Sequence, residues 1–228
     1  MTGTFAELFL AGFVFVGSHV VVSSTALRPA LVRVVGERPF LVLYSLLSIA
    51  LLVWMVRTHG AAPYVEYWAL GTGHRHLAMG IMFVACMLVA AGLSPSSPTG
   101  VLAAETAPRP AGIFKITRHP VMWGVGLWGF AHMAANGDAA SFLFFGWLAG
   151  LALLGTVFIE RKKKAALGAD WEAFAAASSN VPFAAVLAGR ARLGLGEIGY
   201  WRLAVGMALY LILFFAHEYV IGVSPLAP

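Results

Sequence analysis

From Pro39 to Val56 the chain reads "PFLVLYSLLSIALLVWMV" and carries no charge. The apolar part of a bilayer takes about 20 residues of helix to cross, and this run comes close to that length. Lipid offers no hydrogen-bond partners, so a backbone threaded through it must satisfy its own N–H and C=O groups as a helix. Five further runs share this character. They are Phe5 to about Leu27, "LAMGIMFVACMLVAAGL" (Leu77–Leu93), His119–Ala135, Ser141–Ile159 and "LAVGMALYLILFFAHEYVIGV" (Leu203–Val223). His119–Ala135 is the shortest and the richest in glycine. Charged residues make up 11% of the chain, against about 25% in soluble domains, which is too few for a surface facing water. The expectation is an all-α, polytopic membrane bundle of about six transmembrane helices, one domain over residues 1–228. Its first helix is expected to be a retained span, because no Lys or Arg precedes its apolar run and Glu7 comes early, unlike a signal peptide.

Basic residues set the orientation. With the N-terminus outside, the inner connections hold Arg28, Arg33, Arg38, Arg109, Lys115, Arg118, the run Arg161–Lys164, Arg190, Arg192 and Arg202. Of the 15 Lys and Arg residues only Arg57 and Arg75 then fall outside, the bias expected of cytoplasmic loops. Both termini are therefore expected on the outer side. This topology also accounts for the net charge of +5. The "RKKK" run suits acidic lipid, and the partner implied is the bilayer, not nucleic acid. Arg28–Pro39 is expected to be a short interfacial helix or turn, and Arg57–His76 an aromatic outer loop. Ser94–Gly112 reads as a Pro/Ser/Gly loop, and Glu160–Trp201 is expected to lie partly along the inner membrane surface. A single cysteine, Cys86, excludes an intrachain disulfide. There is no P-loop, nucleophile elbow or HExxH helix.

Three histidines, His19, His132 and His217, fall inside spans, where an ionisable side chain marks a functional candidate. The bland alternative is a neutral histidine bonded between helices. His119 and His132 are roughly 20 Å apart along one helix and point to nearly opposite faces, so they cannot share a small ligand. His132 has Val125, Trp128, Gly129 and Asn136 on its face. His19 has Gly12, Phe15, Val16 and Ser23. A histidine beside aromatic surface and a glycine gap suits a flat macrocycle such as haem b, whose usual axial ligand is imidazole; it equally suits plain helix packing. Counted by depth from the inner surface, His132 pairs better with His217 than with His19.

The stretches "GSHVVVSSTALRPALVRVVGERPFLVLYSLLSI" (Gly17–Ile49), "RHPVMWGVGLWGFAHMAANGD" (Arg118–Asp138) and "HEYVIGVSP" (His217–Pro225) resemble the NnrU family over essentially the whole chain. The resemblance implies a protein of the bacterial inner membrane, linked to denitrification through the production of active nitrite and nitric oxide reductases. A distant branch is the haem b-dependent 15-cis-zeta-carotene isomerase. Its first-span motif matches His19, Leu27 and Arg28; its second matches Leu127, Trp128, Ala131 and His132. The resemblance thus implies His19 and His132 as ligands of the haem iron, with His217 the alternative from depth. Trp128, Gly129 and Arg28 are implied around the cofactor. The isomerase carries a cysteine where this chain has Gly129. The implied role is redox or isomerase-like, on a hydrophobic small molecule, with catalytic residues unassigned. A non-enzymatic assembly factor for respiratory reductases is a further alternative.

A second resemblance is to membrane methyltransferases of the isoprenylcysteine type. It rests on Arg118, His119, Pro120, Gly124, Glu160, Leu167, Gly168, Trp171, Phe174 and Pro182. It implies S-adenosylmethionine bound near the inner surface, its carboxylate held by Arg118 or His119 at a helix N-terminus. The family's two adjacent glutamates are Ile159–Glu160 here. The alternative for this pair is interfacial anchoring of a helix start. His74 and His76 in "HRH" are a weaker metal candidate, since residues two apart on a helix diverge.

Overall fold

The structure, a computed structural model, describes residues 3–68, 71–93, 99 and 110–226, apart from the side chains of Ser23, Ser24 and Leu195. The described chain is all-helical. Its long helices are α1 (Phe5–Ser24), α3 (Glu37–Ala61), α4 (Thr72–Gly92), α5 (Pro120–Asn136), α6 (Ala139–Leu167) and α10 (Tyr200–Ile221). Short helices α2 (Leu27–Val35), α7 (Ala169–Ala176), α8 (Ala184–Leu187) and α9 (Leu195–Ile198) connect them, with one 3-10 turn over Gly112–Lys115. Five helices, α1, α3, α4, α6 and α10, are long and apolar enough to cross a membrane. With 17 residues, α5 rises about 25 Å, a little short of the hydrocarbon thickness.

Local chemistry sets the ends. Thr4 and Glu7 form a reciprocal capping box that starts α1, each side chain accepting from the other's backbone N–H. Pro120 opens α5, and Gly137, at φ 66°, closes it in the left-handed conformation that a side chain would resist. Asp138 then caps α6 by accepting from the Ser141 N–H at 3.0 Å. Opposite this turn the outer loop pairs like a short strand, with Tyr67 N–H donating to Gly137 O and Ala139 N–H to Val65 O.

The helices pack in the order α10, α4, α5, α6, α1, α3, with α3 also touching α6. Small residues let α5 sit in the middle. A Cβ on Gly124 would lie 2.6 Å from Val89 Cγ2 of α4, and one on Gly129 would lie 2.9 Å from Ala149 Cβ of α6. Close backbone approach is how helices associate in lipid, where apolar contact alone gives little drive. Leu8, Phe15, Met55, Met133, Phe144 and Phe145 tie α1, α3, α5 and α6 together. At the inner end Leu88, Ile113, Phe114 and Ile198 form a second cluster. α3 and α10 bury little of themselves, and their exposed Leu, Val, Ile and Phe side chains suit contact with lipid.

Several boundaries differ from expectation. The second apolar run extends to Ala61, so His59 is helical and not in a loop. α4 starts at Thr72 and takes in His74, Arg75 and His76. Glu160–Leu167 continues α6 and does not lie flat. Helices outlast their apolar runs because polar residues at the headgroup level still gain by continuing the hydrogen-bond ladder. Arg28–Pro39 does contain a short helix, α2. The expected loop Ser94–Gly112, with Arg109, falls mostly outside the described residues, and its last residue, Gly112, opens the 3-10 turn.

Candidate functional site

Two polar centres stand out, one at each end of α5. At the C-terminal end, the outer one in the topology expected from the basic residues, a cavity of about 240 Å³ is lined by α4, α5, α10 and the turn after α10. His132 and His217 both line it, with ring centres 6.3 Å apart and planes tilted by 31°. The Nδ1 of His132 lies 2.8 Å from Trp128 O, and the Nδ1 of His217 lies 2.6 Å from Val223 O. A carbonyl only accepts, so each Nδ1 carries its proton and donates. In the neutral form of each ring Nε2 is then the atom with the lone pair, the form in which histidine ligates a metal. Trp128 and Phe145 pack on the His132 ring at 4.9 Å and 4.8 Å. The cavity floor adds Met79, Met82, Tyr210 and Phe214. α5 and α10 both pack on α4 but not substantially on each other, so one histidine stands on each side of the gap between them.

The residues expected around His19 lie elsewhere. Its Nδ1 is 2.7 Å from Phe15 O, and its ring packs on Phe15 and Tyr44. α1, which carries it, packs on α3 and α6. The ring neighbours of His132 are Trp128, Phe145 and His217, and His19 is not among them. The glycine gaps expected to admit a macrocycle are already filled. Gly129 is taken up by α6, and a Cβ on Gly12 would collide with the Trp147 ring. Arg28 pairs with Glu37 and lies over the Phe40 ring at 5.6 Å, joining α2 to α3. The side chain of Ser23 lies outside the described residues. One residue that sequence reasoning passed over is His59, whose Nε2 lies 3.4 Å from Ser141 Oγ and whose ring packs on Phe144 and Phe145. Its loop-like neighbours "RTHG" hid it.

At the N-terminal end, the inner one in that expected topology, Arg118, His119, Glu160, Trp171 and Phe174 of the methyltransferase resemblance come together, whereas Gly124 packs on α4. One oxygen of Glu160 accepts from Arg118 Nε at 3.1 Å, Arg118 Nη2 at 2.9 Å and His119 Nε2 at 3.0 Å. Arg118 Nη1 donates to Ala175 O and Ser178 Oγ, and the guanidinium lies 5.7 Å over the Trp171 ring, which Phe174 flanks. Thr117 Oγ1 donates to Asn180 O, and Asn180 in turn accepts from Trp123 Nε1 and donates to Thr156. The segment after α7 is thereby clamped onto the start of α5. His119 is 1% exposed. Burial pushes its imidazole below the ordinary value, against the pull of the Glu160 carboxylate. Its Nδ1 is buried and meets no partner among the described residues.

Among the described residues no group of three His, Cys, Asp or Glu side chains could hold a metal ion. The profile of one protein family, described as NnrU protein, matches residues 7–225. No curated protein and no solved structure matches the chain.

Proposed function

The chain belongs to the NnrU family, and from that premise we propose that it is a membrane protein that binds haem b at the outer cavity, between His132 and His217. The observation that carries this reading is the pair itself. His132 and His217 would hold the iron between them; with metal–nitrogen bonds of about 2.0 Å their ring centres would stand roughly 6 Å apart, close to the 6.3 Å found here. Both Nδ1 atoms are occupied by carbonyls, which leaves Nε2 for the iron and fixes the ring orientations. The lining is largely apolar, as a macrocycle needs. At about 240 Å³ the cavity is below the roughly 300–1,000 Å³ of small-molecule sites. It would enclose part of such a group and leave the rest in the gap between α5 and α10.

When bound, a haem held by these two imidazoles would supply one-electron transfer. The protein's own part is to orient and shield: Trp128 O and Val223 O aim the two rings, while Trp128 and Phe145 keep water from His132. His19, which the resemblance implies as ligand, is the competing partner for His132. A redox role of this kind fits the link to nitrite and nitric oxide reductases in a bacterial inner membrane. The topology proposed with it counts α5 as a sixth crossing, with both termini outside. The deciding experiment is the absorption spectrum of protein purified from haem-replete cells. A Soret band is expected, and a colourless preparation overturns the reading.

The convergence of Arg118, His119 and Glu160 with Trp171 favours a second reading, an S-adenosylmethionine-dependent methyltransferase. A cofactor carboxylate would have to displace Glu160 from Arg118. Titration calorimetry with S-adenosylmethionine tests it, and absence of heat at millimolar cofactor ends it.

A further inference from the structure

Besides His132, His217 and Tyr210, the polar side chains of the outer cavity gather at one end. Arg75 from the first turn of α4, Asn136 from the last turn of α5 and Ser224 from the turn after α10 line it at the outer helix ends. Deeper in, its walls are residues such as Met82, Leu213 and Phe214. Arg75 is half-buried, and no described acidic side chain pairs with it. A guanidinium partly removed from water loses hydration that only an anion with matching acceptors restores well. Its fork suits a carboxylate, and Asn136 and Ser224 add neutral donors beside it. The ligand that matches this arrangement is apolar along most of its length and carries a carboxylate at its outer end.

We propose that Arg75 anchors the carboxylate of the cavity's ligand, which, resting on the haem reading above, is a haem propionate. Arg75 is then a binding residue for the acidic edge of the group, separate from the histidines that take its centre. This sets the orientation in which the group enters, with its acidic edge toward the outer surface and its apolar edge toward mid-membrane.

The test compares haem b with its dimethyl ester, which keeps the ring and the iron but has no free carboxylate. Full-length protein stripped of haem is titrated with each, and so are the R75Q and R75K variants, with the Soret shift as readout. Wild type is expected to bind haem b about tenfold more tightly than the ester. R75Q should lose that preference while keeping the same Soret position, and R75K should keep part of it. Equal binding of the two by wild type, or an undiminished preference in R75Q, overturns the anchor and leaves the haem reading intact. If neither haem binds, the haem reading falls. Oleate then serves as probe: binding that R75Q abolishes keeps the carboxylate anchor, and no binding removes it. Should R75Q fail to fold, the ester comparison in wild type and the R75K variant carry the decision.

Discussion

His132 and His217 hold their ring centres 6.3 Å apart across a cavity, with their helices, α5 and α10, both packed chiefly on α4. A ligand bound between them should therefore depend on both rings. His132→Ala and His217→Ala are each expected to abolish the Soret band of the purified protein, while His19→Ala leaves it in place. Loss of the band in His19→Ala with retention in His217→Ala would transfer the site to α1.

The glycines of α5 predict an asymmetry in stability. A methyl group at Gly129 meets Ala149 Cβ at 2.9 Å and the Phe145 carbonyl at 3.0 Å. Gly129→Ala should lower stability by about 1–3 kcal/mol through overpacking. Gly150, in α6, has open space where its Cβ would be, so Gly150→Ala should be neutral or stabilise by up to about 1 kcal/mol. Thermal unfolding in one detergent reads both, and equal effects would contradict the packing described.

Removing the Glu160 carboxylate leaves a mostly buried guanidinium without its anion. Breaking a buried pair costs about 3–5 kcal/mol. The Glu160 side chain is 24% exposed, so about 2–3 kcal/mol is expected for Glu160→Gln once solvent screening is allowed for. The double variant R118M/E160L should recover part of that loss. If it proves the least stable of the three, the clamp contributes more than charge compensation.

Acid should weaken the inner end. Burial lowers the His119 pKa from its ordinary 6.5, so as pH falls below about 6.5 the unfolded chain takes up a proton that the folded chain refuses. Stability is complete above that point and declines as pH drops toward the folded value. The comparison is wild type against His119→Gln, which keeps a donor for Glu160 but cannot titrate. The decline over this window should be shallower in the variant, and parallel curves would assign it to other histidines.

Counting α5 as a crossing has its own test. A cysteine at Tyr64, in the outer loop, should react with a membrane-impermeant thiol reagent added to intact cells. A cysteine at Ala191 should react only after lysis. The buried Cys86 gives little background. Reaction of both from outside would remove one crossing.

The helices were legible because lipid forces an apolar run to be helical; each of the six runs became one long helix. Their ends were not, since α3 continues to Ala61 and α6 to Leu167 through residues that composition assigns to loops. The faces were half legible. A helical wheel puts Gly129 beside His132, but it cannot say that α6 already occupies Gly129. The inner cluster was legible as a motif, and the fold joins Arg118 to Glu160 across the intervening helices. At the outer end, counting residues from the inner surface pointed to His217, whereas the family motif pointed to His19. Only the packing order of the helices brings His217 to His132.

The clamp at the start of α5 also bears on biogenesis. Thr117, Arg118 and His119 are made early, but the groups they bond come later, Glu160 near the end of α6 and Ala175, Ser178 and Asn180 after it. Until then the shortest and most glycine-rich of the long helices has an unneutralised guanidinium at its threshold and little length to hold it in place. α5 and α6 should therefore commit to the bilayer together, as a hairpin, with translation past Asn180 as the step that locks them.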